Sequence, residues 1–217
     1  MEKNIILGCG GTGVEILKLL SITNLKYNIT LIDKDIIELS NLNRLFPFTS
    51  KDIGCYKASV LSKIYNTKYI VKDILTLDSV SNYDMIIIAV DNLPCRMHLN
   101  YLYKIEGKGL LIDCGVSKNM CHVFKMDRNS FCLYCMKEMY ETETGEGVSC
   151  SKQAEVEIYI RPFVCYINSI CASLVMLIIT DSLNNYYVYN GTEGIFLSKM
   201  RIEKDVFCIL CSKNFIY

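Results

Sequence analysis

The sequence carries no excess charge of either sign: 23 lysines and arginines balance 23 aspartates and glutamates over 217 residues. That balance excludes the basic footprint of a nucleic-acid binder or of a protein lying on anionic membrane, while leaving room for a small local phosphate site. No secretory leader is expected either. Met1–Asn4 runs at once into the strand-like Ile5–Leu7 and a glycine-rich turn, with no long apolar region and no small-residue cleavage site. Twelve cysteines without such a leader read as free thiols, metal ligands or catalytic sulfur in a reducing compartment, not as a disulfide framework. The expected location is therefore the cytoplasm, extending to the nucleus in a eukaryotic cell. Repeats, low-complexity tracts and convincing linkers are absent, so residues 1–217 read as a single domain.

Charge is lacking in one further place. Phe163–Thr180 is 18 residues without an ionised side chain, bracketed by Arg161 and Asp181, which reaches the lower limit for a membrane span. It also contains Asn168, Ser169, Ser173 and two cysteines. A helix buried in a globular core has the same composition, and that reading, with no membrane partner, is preferred.

What the sequence does contain is an alternation of strands and helices. Asn4–Leu7, Ile29–Ile32, Tyr69–Val71, Met85–Val90 and Leu110–Asp113 read as strands, with helices over Gly11–Leu20, Ala58–Tyr65 and Pro94–Ile105 between them. Met85–Val90 is apolar throughout, as in a strand covered on both faces. This pattern predicts an α/β fold, Rossmann-like and doubly wound on a mainly parallel sheet. The second half changes character. Cys121–Met126, Tyr186–Tyr189 and Ile195–Arg201 read as strands of an antiparallel part, after a polar stretch at Glu138–Lys152. Ligands of such sheets bind beyond the carboxyl ends of the strands, which directs attention to Gly8–Gly13, Asp33, Asp91 and Asp113–Gly115.

Gly8-Cys9-Gly10-Gly11-Thr12-Gly13 follows a strand and opens a helix, an arrangement that presents backbone N–H groups and a helix N-terminus to phosphate. Asp33 ends the next strand, where a carboxylate can accept hydrogen bonds from ribose hydroxyls. These features alone would fit a nicotinamide or flavin enzyme. The residues after Asp33 point elsewhere. Asp33-Lys34-Asp35, then Ser40-Asn41-Leu42-Asn43-Arg44, then Gly54 with Lys57-Ala58, and later Asp91-Asn92, Arg96 and Asn100, resemble in order the ubiquitin-activating (ThiF/MoeB-like) superfamily. The resemblance covers nearly the whole chain.

That resemblance implies ATP- and Mg2+-dependent adenylation of the C-terminal glycine carboxylate of a ubiquitin-like protein. Gly8, Gly10, Gly11, Gly13 and Asp33 would hold the nucleotide; Asn41, Arg44 and Lys57 its phosphates; Asp91, beside Asn92, the magnesium. The chemistry is consistent, because a triphosphate and departing pyrophosphate need guanidinium and ammonium groups that a dehydrogenase can do without. Taken singly, Arg44 and Lys57 are ordinary surface cations, and Asp35 and Glu38 ordinary loop acids. The implied partners are the ubiquitin-like protein, a second copy or a related activating subunit, and a conjugating enzyme. Relatives carry a helix ahead of the first strand that lends an arginine to the partner's site, a large cysteine-bearing insert and a ubiquitin-like domain at the end. None has a counterpart in these 217 residues, so the expectation is either that another chain completes the site or that this is a reduced enzyme. Activation of a sulfur carrier, a non-catalytic scaffold role and a nicotinamide oxidoreductase are the competing readings.

Cys132-Leu133-Tyr134-Cys135 and Cys208-Ile209-Leu210-Cys211 could form a four-thiolate zinc site. Twelve cysteines yield about 0.7 Cys-x-x-Cys pairs by chance, so spacing alone leaves buried apolar thiols as the alternative. The resemblance implies zinc, tying the chain's end to its middle. Some superfamily members also carry the modifier as a thioester, and Cys150, in the polar stretch fifteen residues after Cys135, is the candidate nucleophile against a tolerated loop thiol. Cys165 and Cys171 read as core, and Cys9, Cys55, Cys95, Cys114 and Cys121 as packing residues.

Overall fold

The computed structural model describes residues 3–23, 27–117, 119–137, 140, 164–192 and 195–211. One eight-stranded sheet has the order β3-β2-β1-β4-β5-β6-β7-β8. β1 (Lys3–Gly8), β2 (Tyr27–Ile32), β3 (Lys68–Ile70), β4 (Met85–Ile88) and β5 (Leu110–Ser117) pair in parallel. β6 (Met120–Met126), β7 (Tyr186–Asn190) and β8 (Phe196–Met200) extend the sheet antiparallel from β5. The four helices α1 (Gly11–Ile22), α2 (Lys57–Tyr65), α3 (Leu93–Glu106) and α4 (Val164–Thr180) are counted among the described residues.

Alternation along the strands divides the core in two. Ile5, Leu7, Leu31, Ile87 and Ile112 face α1, α2 and α4, while Ile6, Ile32, Ile86, Ile88 and Leu111 face α3 and Phe131–Leu133. Both faces of the parallel sheet are thus covered, which is why β4 reads as an unbroken apolar run. The uncharged segment forms α4 and packs on α1, β5 and β6 through Ile167, Cys171, Leu174, Val175 and Ile178. Among the described residues no helix is long and apolar enough to cross a membrane.

Some local expectations need correction. β5 continues past Asp113 to Ser117 because β6 pairs with it along that length. Cys55 is exposed instead of packed, and Cys165 is only half-buried, its sulfur 3.8 and 3.9 Å from the carbonyl oxygens of Asn43 and Arg44.

Candidate nucleotide site and zinc knuckle

Three loops meet at the carboxyl ends of β1, β2 and β4. Gly10 is the extended N-cap of α1, with no side chain occupying the cap and no acid in the first helical turn, so the first amides of α1 are free of anionic competition. Gly13 allows the helix to lie tight on its strand: a Cβ there would fall 1.9 Å from the Gly8 carbonyl oxygen. Gly11 has a different neighbour. A Cβ would meet the Asn168 amide nitrogen at 2.5 Å, and the Asn168 oxygen accepts a hydrogen bond from Thr12 at 3.0 Å. The start of α4 therefore frames the glycine turn, a contact that its apolar composition did not announce.

Asp33 caps β2. Burial pushes its pKa up to about 6, against the hydrogen bond that its carboxylate accepts from the Asp35 amide at 2.8 Å and the charge of Lys57, with the charges of Asp35 and Asp91 adding to the rise. Asp35 in turn holds Lys57, the first residue of α2, by an ion pair at 2.9 Å and by a backbone bond at 3.0 Å from the Lys57 amide to the Asp35 carbonyl. The lysine side chain is 12% exposed and its partner 54%. Burial, then the charge of Asp33, raises the thiol of Cys9 inside the glycine turn, with Lys57 and Asp35 acting on it as well. Glycine turn, Asp33, Asp35, Lys57 and Asp91 thus share one electrostatic neighbourhood.

Loop residues 34–56 are pinned by Ile37, Leu45 and Phe48, all sunk in the core. Asn41 is buried with its carboxamide oxygen accepting the Glu38 amide at 3.1 Å, so it shapes the turn. The Arg44 guanidinium bonds the Ser40 carbonyl at 2.7 Å and the Asn43 side chain at 3.3 Å, and Cys165 at the head of α4 touches the Arg44 backbone. Arg44 is thus joined to the glycine turn through the first turns of α4, and its guanidinium bonds within its own loop. Asp91 is exposed, with the Asn92 amide nitrogen at 3.4 Å, and Asn92 caps α3 by accepting the Cys95 amide at 2.9 Å. An exposed, lightly held carboxylate near the glycine turn suits a hard oxygen-seeking cation such as Mg2+.

Behind these loops lies a polar network to which sequence reasoning gave no role. Arg96 is buried and donates to Asp113, to the Cys114 carbonyl and to the Val90 carbonyl. Asp113, wholly buried, also accepts the Tyr140 hydroxyl and lies 3.5 Å from His122 Nε2. Burial alone would raise the Asp113 carboxyl; Arg96, with the His122 and Tyr140 hydrogen bonds, leaves it below the ordinary range. Removing one member of such a pair strands the other and costs roughly 3–5 kcal/mol.

At the far end of α3 the sulfurs of Cys132, Cys135, Cys208 and Cys211 all lie within 4.8 Å of one another. The contacts Cys132–Cys208 and Cys135–Cys211 are 3.6 Å and Cys132–Cys135 is 3.9 Å. Tetrahedral zinc with sulfur at about 2.3 Å requires sulfur–sulfur edges of about 3.8 Å, so the donor set and its spacing fit. Asn100 fixes the knuckle by accepting the Leu133 amide at 3.0 Å, and Lys104 donates to the carbonyls of Asp127, Arg128 and Ser130 just before it. Cys150 lies outside the described residues.

Residues 2–208 match the sequence model of the ThiF family. The chain belongs to that family. Among its relatives, the NEDD8-activating enzyme E1 catalytic subunit of Saccharomyces cerevisiae is 37% identical over 107 residues, covering 45% of this chain and 36% of that protein. The Dictyostelium discoideum protein of the same description is 23% identical, covering 99% of this chain and 69% of the relative. SUMO-activating enzyme subunit 2 of Dictyostelium discoideum is 36% identical over 46% of this chain and 17% of its own length. The ThiF-family fold is also that of E. coli MccB: its crystal structure with ATP superposes with a TM-score of 0.74 at 20% identity, over 97% of this chain and 66% of MccB. The chain therefore spans only part of each of these relatives.

The raised Asp33 pKa gives this ThiF-family site a pH signature. Were the ionised Asp33 carboxylate to accept from ribose hydroxyls, nucleotide binding would favour its charged form and lower its pKa. Near pH 6, where free Asp33 is half protonated, nucleotide binding is expected to release up to about half a proton, and affinity to fall about tenfold per unit below that pH. Calorimetry in two buffers of different ionisation enthalpy measures this. Proton uptake, or no exchange of protons at pH 6, would remove Asp33 from the ribose.

Proposed function

We propose that the chain is the adenylating part of an activating enzyme for a ubiquitin-like protein, using ATP and Mg2+. The observation that carries this reading is the shared neighbourhood of the glycine turn, Asp33, Lys57 and Asp91. A dehydrogenase needs the first two; only phosphate chemistry has use for the cation and the exposed acid as well. The free amides of α1 and Asp33 hold the adenosine and its phosphates, and Asn41 sets the turn that presents Arg44. The modifier's C-terminal carboxylate oxygen attacks the α-phosphorus, the bond to the β-phosphate oxygen breaks, and pyrophosphate leaves as an acyl adenylate forms. Lys57 and Arg44 neutralise the charge that builds on the phosphates in that step. Asp91 is the residue that would hold Mg2+, whose bound form supplies further charge neutralisation there. The four-cysteine knuckle would hold structural zinc and anchor the end of the chain.

In a second step the thiolate of Cys150 attacks the acyl carbonyl and AMP departs, leaving the modifier as a thioester. The names of the relatives, which concern NEDD8 and SUMO, favour this conjugating route over sulfur-carrier activation. Because several relatives are subunits and the chain spans only part of them, it is proposed to act with a related partner subunit, and to pass the thioester to a conjugating enzyme.

Incubation with ATP, labelled pyrophosphate and candidate ubiquitin-like proteins, with and without related activating subunits, should give modifier-dependent exchange. A reductant-sensitive modifier adduct should also form and vanish in Cys150→Ser while exchange persists. No exchange under any combination would sink the adenylation reading; exchange with an unaltered adduct in Cys150→Ser would sink only the thioester step.

A further inference from the structure

The magnesium ligand proposed above is an exposed carboxylate that does not position itself. Its two flanks are nevertheless fixed. On one side the Val90 carbonyl, which belongs to the peptide that ends at the Asp91 nitrogen, accepts from Arg96 Nη2 at 2.5 Å. On the other, Asn92 is locked as the cap of α3 through the Cys95 amide. Arg96 Nη1 meanwhile reaches across to β5, where it bonds the Asp113 carboxylate at 2.5 Å and the Cys114 carbonyl at 2.9 Å. One rigid guanidinium fork therefore joins the β4–α3 turn to the neighbouring strand, which a single ammonium cannot reproduce.

We infer that Arg96 is a positioning residue for Asp91, and that Asp113 keeps the Arg96 charge from competing with a cation for that acid. This rests on the adenylation reading, since it needs Asp91 to hold a metal. A guanidinium six residues from the Val90 carbonyl that it bonds would be attracted to the Asp91 carboxylate. The buried Asp113 neutralises it from the opposite side, with Tyr140 and His122 behind. Asp91 is left with a fixed backbone and no guanidinium drawn onto its carboxylate, which is what a reluctantly dehydrating cation such as Mg2+ requires.

The test uses the full chain with Mn2+ as the probe and a non-hydrolysable ATP analogue, reading free Mn2+ by electron paramagnetic resonance. Arg96→Lys retains the charge and Asp113→Asn the shape; the comparison is made on whichever keeps a cooperative thermal transition. Nucleotide-dependent Mn2+ affinity is expected to fall about tenfold, as for other residues one step behind a metal ligand, while nucleotide affinity in metal-free buffer changes less than about twofold. A purely structural role would weaken both together, or leave both unchanged in the folded fraction, and either result overturns the inference. Asp91→Asn separates the levels. If it leaves Mn2+ affinity intact, the metal assignment fails and the inference with it; if it abolishes the site while Arg96→Lys and Asp113→Asn bind normally, only the inference fails.

Discussion

Lys57→Ala should lose about 10²–10³-fold in modifier-dependent pyrophosphate exchange, the scale of removing one preorganised charge from a developing transition state. The lysine begins α2, with its amide bonded to the Asp35 carbonyl and its ammonium to the Asp35 carboxylate at 2.9 Å. It is thus held in place by an acid that is itself half in water, and a phosphate arriving at the glycine turn can share the ammonium at little cost. Deleting the lysine does two things. It removes a cation from the phosphates, and it leaves Asp35 as an unopposed negative charge beside them. Asp35→Asn in the Lys57→Ala background should therefore recover part of the loss, a coupling that independent sites would not show. Lys57→Arg should recover less than charge alone suggests, because the planar fork cannot occupy the place of a compact ammonium. Stability should hardly move. A pair whose acid is 54% exposed contributes under about 1 kcal/mol, or a few degrees in the thermal midpoint of a chain this size. Exchange within fivefold of wild type in folded Lys57→Ala would show that the ion pair is a surface ornament, and the convergence argument would lose its main member.

Much of this architecture was legible because it is written in local chemistry. The apolar runs of β1 and β4, the glycines before α1 and the acid ending β2 each report their own environment, and so the parallel sheet and the glycine-turn end of the site could be placed. The antiparallel strands were found by the same patterning. What escaped was written in pairs. Asp113, followed by Cys114 and Gly115, looks like the polar end of a strand, yet β5 runs on and Asp113 is dry because Arg96, 17 residues earlier, meets it across the helix–sheet interface. Nothing local in either residue announces that meeting. The order Asp91-Asn92, Arg96, Asn100 matched a family pattern, but a pattern names positions without saying which touch. Only the folded chain separates Asp91, exposed to the site, from Arg96, turned inward to hold its backbone, and from Asn100, facing the knuckle. The cysteines show the same limit. Their number blurred the motif, and the expectation of burial failed for Cys55, in the loop before α2, and for Cys165, at the head of α4.

The knuckle gives the second large effect. Cys208→Ser is expected to strip zinc from the chain and to lower the thermal midpoint by about 10 °C. Cys132 and Cys208 are 76 positions apart, as are Cys135 and Cys211, and between them run α4, β7 and β8. A bond across that span removes loop freedom from the unfolded chain worth roughly 4–5 kcal/mol, on the scale used for disulfides closing a loop of that length. At about 2–4 °C per kcal/mol for a chain of this size, that is a shift of roughly ten degrees. The loss should be confined in space. The core cluster under α1, α2 and α4 contains no residue of the knuckle, so that face of the parallel half and its glycine turn should stay folded, with nucleotide affinity in metal-free buffer close to wild type. Hydrogen exchange should instead rise sharply over 201–211 and around 130–136, where the Cys211 sulfur approaches the Ser130 carbonyl and Asn100 holds Leu133. Serine is the stringent substitution, being close in size to cysteine but a poor ligand for zinc, so packing alone predicts a small change. Should the purified chain contain no zinc and its midpoint ignore both a chelator and Cys208→Ser, the four sulfurs are buried thiols in van der Waals contact, and what anchors the end of the chain is the packing around them.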